Sequence, residues 1–215
     1  LVKAEVFQGD NDAVKGGDTD VAMLRIAFTM TGDQNPLLLN EVNVNLKDAA
    51  GSVAAVKLYA CGKSEEFSTD NLIAMATPAA DATSVLLVPD FFRMPEKTSC
   101  YWLAYDMNSE IEAGHEIDAA IASVTMSGKN VEGIITPDPE GSRQSVNVYY
   151  FADGDNTVPV TGTMFCYDNG GPDAKYTTDA KGTVTFTPAE GEIICMDFKQ
   201  FYTNINDDFL VYEGT

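Results

Sequence analysis

The stretch 39-LNEVNVNL-46 decides the fold class. Val42, Val44 and Leu46 fall on one side of an extended chain, with Glu41, Asn43 and Asn45 on the other. That two-residue alternation is the pattern of a strand with one buried face. The same period runs through 21-VAMLRIAFTM-30, where Leu24, Ile26, Phe28 and Met30 oppose Met23, Arg25, Ala27 and Thr29. Further strands are predicted at 53-VAAVKLYAC-61, 84-SVLLV-88, 99-SCYWLAYDM-107, 117-IDAAIASVTM-126 and 144-QSVNVYYF-151. Turn-forming stretches separate them: 31-TGDQNP-36, 48-DAAG-51, 127-SGKN-130 and 136-TPDPEG-141. Short strands at this spacing, with no helix-length amphipathic segment, predict an all-β chain built on an antiparallel β-sandwich of the jelly-roll or Ig-like kind. At most a helical turn is expected in 64-SEEFSTD-70 and 74-AMATPAADAT-83.

A second unit follows 152-ADGDNTVP-159, which reads as a linker or tight crossover, so the expected domains are 1–151 and 152–215. Its predicted strands are 163-TMFCY-167, 183-TVTFT-187, 193-IICMDF-198 and 209-FLVYE-213. A unit this small barely offsets its chain entropy by burial. It is therefore expected to pack on the first unit or to be incomplete.

Thirteen Lys+Arg stand against 33 Asp+Glu, a net charge of −20. Such a field repels phosphate backbones and anionic lipid, which argues against nucleic-acid and membrane-surface partners and favours solubility. No apolar run is long enough to span a bilayer. The opening LVKAEVFQGD is expected to be a processed or trimmed start. The cysteines at 61, 100, 166 and 195 are far apart and the one histidine is His115, which excludes a zinc site of ordinary composition.

Gly62-Lys63-Ser64 lacks the first glycine of a phosphate loop, because position 57 is Lys. His115 reads as an exposed loop residue without a Ser or Cys partner. Trp102 reads as a core residue, with a sugar-stacking platform as the functional alternative. The loop 9-GDNDAVKGGDTD-20 carries Asp10, Asp12, Asp18 and Asp20; its spacing fits no calcium loop, and a solvated acidic turn is the simpler reading. The glycine turn in 164-MFCYDNGGPDAKY-176 reads either as a metal loop or as a hairpin. Cys166 and Cys195 lie on neighbouring predicted strands, and a bond between them would close a loop of about 30 residues and add on the order of 3 kcal/mol. Cys61 and Cys100 either pair or are buried as free thiols.

Two stretches carry a resemblance. In order, 21-VAMLRIAFTMTGDQNPLLLNEVNVNL-46, 55-AVKLYACGKSEEFS-68, 100-CYWLAYDM-107 and 140-EGSRQSV-146 resemble the domain at the N-terminus of BNR-repeat neuraminidases and other exported Bacteroidetes proteins. The resemblance implies a β-sandwich accessory domain rather than the catalytic propeller. Sialidase catalysis uses an arginine cluster and Asp-box repeats, whereas this chain has only Arg25, Arg93 and Arg143 and one Trp outside any such box. Residues 163–214 resemble a CUB-like domain, through 167-YDNGGPDAKY-176, 183-TVTFTP-188 and 198-FKQFYTNINDDFLVYEG-214. That resemblance implies a calcium site at Asp208 and Asn204. Asn204 stands where the family has Glu, and the third acidic position is absent. The donor charge is therefore weakened.

The expected function is that of a non-catalytic, exported or surface-attached accessory or binding protein, engaging glycans or proteins. It would be secreted, periplasmic or on the outer cell surface, alongside further domains of the same polypeptide. No cofactor is expected, calcium being the one candidate. The alternative is an accessory fragment of a larger secreted glycosidase, sialidase-like, or of a peptidase. A spacer with no ligand is a third reading.

Overall fold

The computed structural model describes residues 1–32, 35–90, 92–172, 174–177, 179–199 and 208–212. Sixteen strands lie among the described residues: β1 (Lys3–Gln8), β2 (Val14–Lys15), β3 (Val21–Met30), β4 (Leu38–Asn45), β5 (Val53–Gly62), β6 (Leu72–Ala76), β7 (Ser84–Leu87) and β8 (Phe92–Arg93). They continue with β9 (Lys97–Met107), β10 (Glu116–Ile117), β11 (Ala120–Met126), β12 (Lys129–Asn130), β13 (Arg143–Tyr150), β14 (Gly154–Val160), β15 (Met164–Tyr167) and β16 (Gly182–Pro188). A single 3-10 turn, Ala50–Ser52, is the only helix among the described residues, and none is long and apolar enough to cross a membrane. The all-β expectation holds. The chain divides into two compact units, Leu1–Asn147 and Val148–Thr215.

Unit 1 is a sandwich. One antiparallel sheet runs β1-β3-β9-β5-β6 and the other β12-β11-β4-β7, with β8 also paired to β4. The period-two residues fill the space between them: Leu24, Ile26 and Phe28 from β3, Leu58 from β5, Leu103 and Tyr105 from β9, and Val42, Val44 and Leu46 from β4 and its end are all fully buried. Burying each such side chain contributes roughly 1.5–3 kcal/mol.

Two departures from strict alternation are bulges, where one extra residue restores the inward face. On β4, Thr125 faces Glu41 while the next residue, Met126, faces Leu39. The extra residue, Asn40, lets Leu39 join Val42 in the core. On β3, Ala22 faces Ala104 and Leu24 faces Leu103, so Met23 is the extra residue and is itself fully buried.

The helical turn expected within 74–83 is not there. Leu72–Ala76 is β6, paired with β5, and 64–70 holds no helix. Ala and Met are good helix formers, but intrinsic propensity is a small energy per residue, and pairing with the edge of β5 outweighs it. A short β1, missed in the sequence, zips along β3 from Lys3↔Thr29 to Gln8↔Leu24.

Arg143 clasps the two ends of unit 1. Its side chain is buried; Nη1 donates to the Asp12 carbonyl (3.0 Å), and Nη2 donates to the Ala22 carbonyl (2.8 Å) and the Asp10 carboxylate. The glycines of this region serve close approach: a Cβ on Gly16 would sit 2.3 Å from the Ser109 carbonyl oxygen, and one on Gly9 2.7 Å from that of Ala22.

Unit 2 departs further from expectation. The linker reading of 152–159 is overturned, because Gly154–Val160 is β14 and pairs in parallel with β16, from Gly154↔Gly182 to Val160↔Pro188. Residues 193–198 and 209–212 form no strand. Aromatic rings supply much of the packing: Phe151 lies edge-on to Phe186 (6.2 Å) and Phe209 (6.5 Å), and Tyr150 stacks on Tyr167 (5.8 Å). The glycine turn is an Asp-capped turn: Asp168 Oδ1 accepts from the N–H of Gly170 (2.8 Å) and Gly171 (3.1 Å).

Candidate functional site

The outer face of the β1-β3-β9-β5-β6 sheet gathers the chemistry of unit 1. Register brings Phe7 opposite Arg25, Arg25 opposite Trp102, Trp102 opposite Tyr59 and Tyr59 opposite Leu72. A single ladder of side chains thus crosses all five strands. Opposed positions in an antiparallel pair share a face, which is why residues so distant in sequence meet here.

The 63–71 loop folds over the middle of the ladder. Phe67 sits between Tyr59 (5.6 Å, edge-on) and Trp102 (5.7 Å, tilted). The Trp102 indole N–H donates to the Glu65 carbonyl (3.1 Å), and the Cys61 thiol to the Ser68 carbonyl (3.6 Å). Arg25 reaches the Glu65 carboxylate (3.2 Å), lies over the Phe7 ring at 4.0 Å and donates to Cys100 Sγ (3.8 Å). Trp102 and Phe67 are half-buried while Tyr59 is buried beneath them. The core reading of Trp102 is therefore corrected: it points away from the sandwich interior, on the face that Arg25 and Tyr59 share.

Beside the ladder, Lys57 lies opposite both Ala104 and Met75. Its ammonium bonds the carboxylates of Asp20 (2.7 Å) and Asp106 (2.8 Å), and the Tyr59 hydroxyl donates to Asp20. Asp20, in the left-handed region at φ 54°, donates its own N–H to Asp106 (2.9 Å). Burial opposes the charge on Lys57, but the bonds to Asp106 and Asp20 outweigh it and raise the pKa. Burial and the bond to Asp20 push Tyr59 up to about 12. For Asp20 burial works upward, yet the bonds from Lys57 and Tyr59 prevail and hold it below the usual carboxylate range.

The acidic loop at 9–20 is accordingly tied down by cations: Asp10 by Arg143, Asp18 by Lys15 (3.7 Å) and Asp20 by Lys57. Among the described residues no group of three His, Cys, Asp or Glu side chains converges as a metal site. Of the pair that the CUB-like resemblance implies for calcium, Asp208 is exposed and Asn204 lies outside the described residues.

All four cysteines are free thiols, and neither Cys166–Cys195 nor Cys61–Cys100 is bonded. Cys166 is exposed on β15, and Cys195 is exposed in a segment that forms no strand, which removes the neighbouring-strand argument for that pair. Cys100 is buried and Cys61 is half-buried. His115 is an exposed loop residue whose Nε2 lies 3.2 Å from Glu112.

No family model matches the chain, and no curated relative does. The fold has a counterpart among solved structures. It is similar to Hadza microbial sialidase Hz136, with a TM-score of 0.51 and 14% identity, over 66% of this chain and 31% of that one. At that identity the likeness is one of fold. The chain spans less than a third of that sialidase's length.

The ladder itself was not read from the sequence. Arg25 and Trp102 stand 77 positions apart in the sequence, and only the register of β3 on β9 places them side by side.

Proposed function

We propose that the chain is a non-catalytic accessory binding protein, exported or attached to the cell surface, whose first unit engages glycans, with surface proteins as the other partner class. The observation that carries this reading is the fold likeness to part of a microbial sialidase. The employment of the arginines agrees with it. Arg143 is buried against backbone carbonyls and Asp10, Arg25 is held by Glu65 and Phe7, and Arg93 belongs to the opposite sheet. A cluster that grips a substrate carboxylate needs such groups convergent and uncommitted. The resemblance of the first two-thirds to neuraminidase-associated N-terminal domains, and of 163–214 to CUB-like domains, supports an extracellular accessory role.

A second reading, an accessory piece of a larger secreted glycosidase or peptidase, is favoured by the 31% coverage of the sialidase. The two readings share one test on the chain itself. Incubated with a fluorogenic sialoside, it is expected to release no more fluorophore than buffer. Immobilised, it is expected to retain members of a glycan panel. Turnover would overturn the non-catalytic assignment, and a panel on which nothing binds would overturn the glycan assignment.

A further inference from the structure

We infer that the outer face around Trp102 and Phe67 is the glycan platform of unit 1, and that it takes uncharged pyranose chains in preference to sialylated ones. This rests on the glycan reading above and adds a place and a specificity.

The place follows from how the aromatic pair is held. The polar edge of the Trp102 indole is already occupied by the Glu65 carbonyl, which fixes the ring. Phe67 is braced at an angle beside it by Tyr59. Two half-exposed rings, preorganised at 5.7 Å, suit the C–H faces of sugar rings, which an aromatic ring contacts without further ordering cost. The ladder continues along the sheet to exposed Leu72, with exposed Met75 in the next row. That lengthens the platform beyond one residue of sugar.

The specificity follows from charge. The cations on the face are Lys3, Arg25 and Lys57, and each is held by carboxylates, Lys3 by Glu5, Arg25 by Glu65 and Lys57 by Asp20 and Asp106. The covering loop carries Lys63 against Glu65, Glu66 and Asp70. Carboxylate oxygens accept from sugar hydroxyls but repel a sugar carboxylate, and the −20 charge of the whole chain acts in the same direction. A platform of this kind selects the product of sialic-acid removal over its precursor. It would therefore act downstream of a desialylating reaction.

The chain has one tryptophan, so its fluorescence reports this site alone. The test titrates the full chain with matched oligosaccharides, sialylated and enzymatically desialylated, at low and at physiological salt. The expected result is a change in Trp102 emission with the desialylated form. That form should bind about threefold more tightly at low salt, with the gap closing as salt is added. Phe67→Ala, which also uncovers Tyr59 and so lowers the melting temperature, is expected to weaken binding about fivefold at a temperature where the variant is fully folded. Phe67→Tyr, which keeps the ring, is expected to retain both affinity and stability. Tighter binding of the sialylated partner overturns the specificity. Glycan binding that leaves both Trp102 emission and the Phe67→Ala affinity unchanged overturns the site while the glycan reading stands. Absence of binding to every oligosaccharide overturns both.

Discussion

Replacing Lys57 by Met removes one ammonium and leaves two carboxylates facing each other on the sheet. Lys57 is 13% exposed, Asp20 29% and Asp106 21%. A hydrogen bond to a charged group contributes roughly 1.5–3 kcal/mol, and stranding a buried ion costs 3–5 kcal/mol. Partial exposure here reduces both, so a loss of about 3 kcal/mol is expected. For a unit of this length that is a fall of roughly 6–12 °C in melting temperature.

The pH dependence gives a second handle. Asp20 has its folded pKa depressed, so its contribution is present above the ordinary carboxylate value, 3.8, and is lost as pH falls through the folded value. In Lys57→Met the Lys57 share of that depression is removed and only the Tyr59 bond remains, so the gap between wild type and variant should narrow as pH falls below about 4. Thermal melts between pH 3 and 8, together with a double-mutant cycle adding Asp20→Asn, measure both effects. A melting temperature within about 2 °C of wild type at pH 7 would refute the account. So would strictly additive single mutants, since residues in one network couple by roughly 0.5–3 kcal/mol.

Gly16→Ala should destabilise by about 1–3 kcal/mol, because the added methyl meets the Ser109 carbonyl oxygen at 2.3 Å; an unchanged denaturation midpoint would contradict that approach. Thiol titration under denaturing, non-reducing conditions should return all four cysteines, with Cys166 and Cys195 reacting first in the native protein, Cys61 later and Cys100 last. Burial raises the pKa of both Cys61 and Cys166, so exposure sets the order between them, whereas a count of two or none would restore disulfides. Millimolar calcium should leave the melting temperature unchanged, and a clear rise would show a donor set completed by residues such as Asn204.

How much of this was legible in the sequence differed between the units. In unit 1 the alternation at 21–30 and 39–46 located strands and their inward faces, because one-sided burial imprints a period of two. What it could not show was the bulges at Met23 and Asn40, each of which shifts the face by one residue for packing reasons set by the opposite strand. Leu72–Ala76 escaped because its alanines and methionine carry no strand preference of their own. In unit 2 the turn in 164–176 was legible, since an Asx turn at Asp168–Gly171 is a local device. Residues 174–177 beyond it form no strand, so the hairpin half of that reading is not what the structure shows. The parallel β14–β16 pair was missed because it joins residues 28 apart, and nothing local announces parallel pairing. Of the candidate site, Trp102 was visible as a residue and invisible as a place. Its neighbours are distant in the chain and become neighbours only through register.

The clasp made by Arg143 has a consequence for the order of synthesis. Its guanidinium closes bonds to positions 121 and 131 residues earlier. During translation the start of the loop at 9–20, with the Asp10 carboxylate and the Asp12 carbonyl, therefore emerges without its partner and waits for nearly the whole of unit 1 to follow. Contacts this non-local form late and slowly. A nascent chain stopped short of Arg143 should leave that acidic loop open to proteases, while one extended past it should be resistant. In this sandwich the last residues made lock the first.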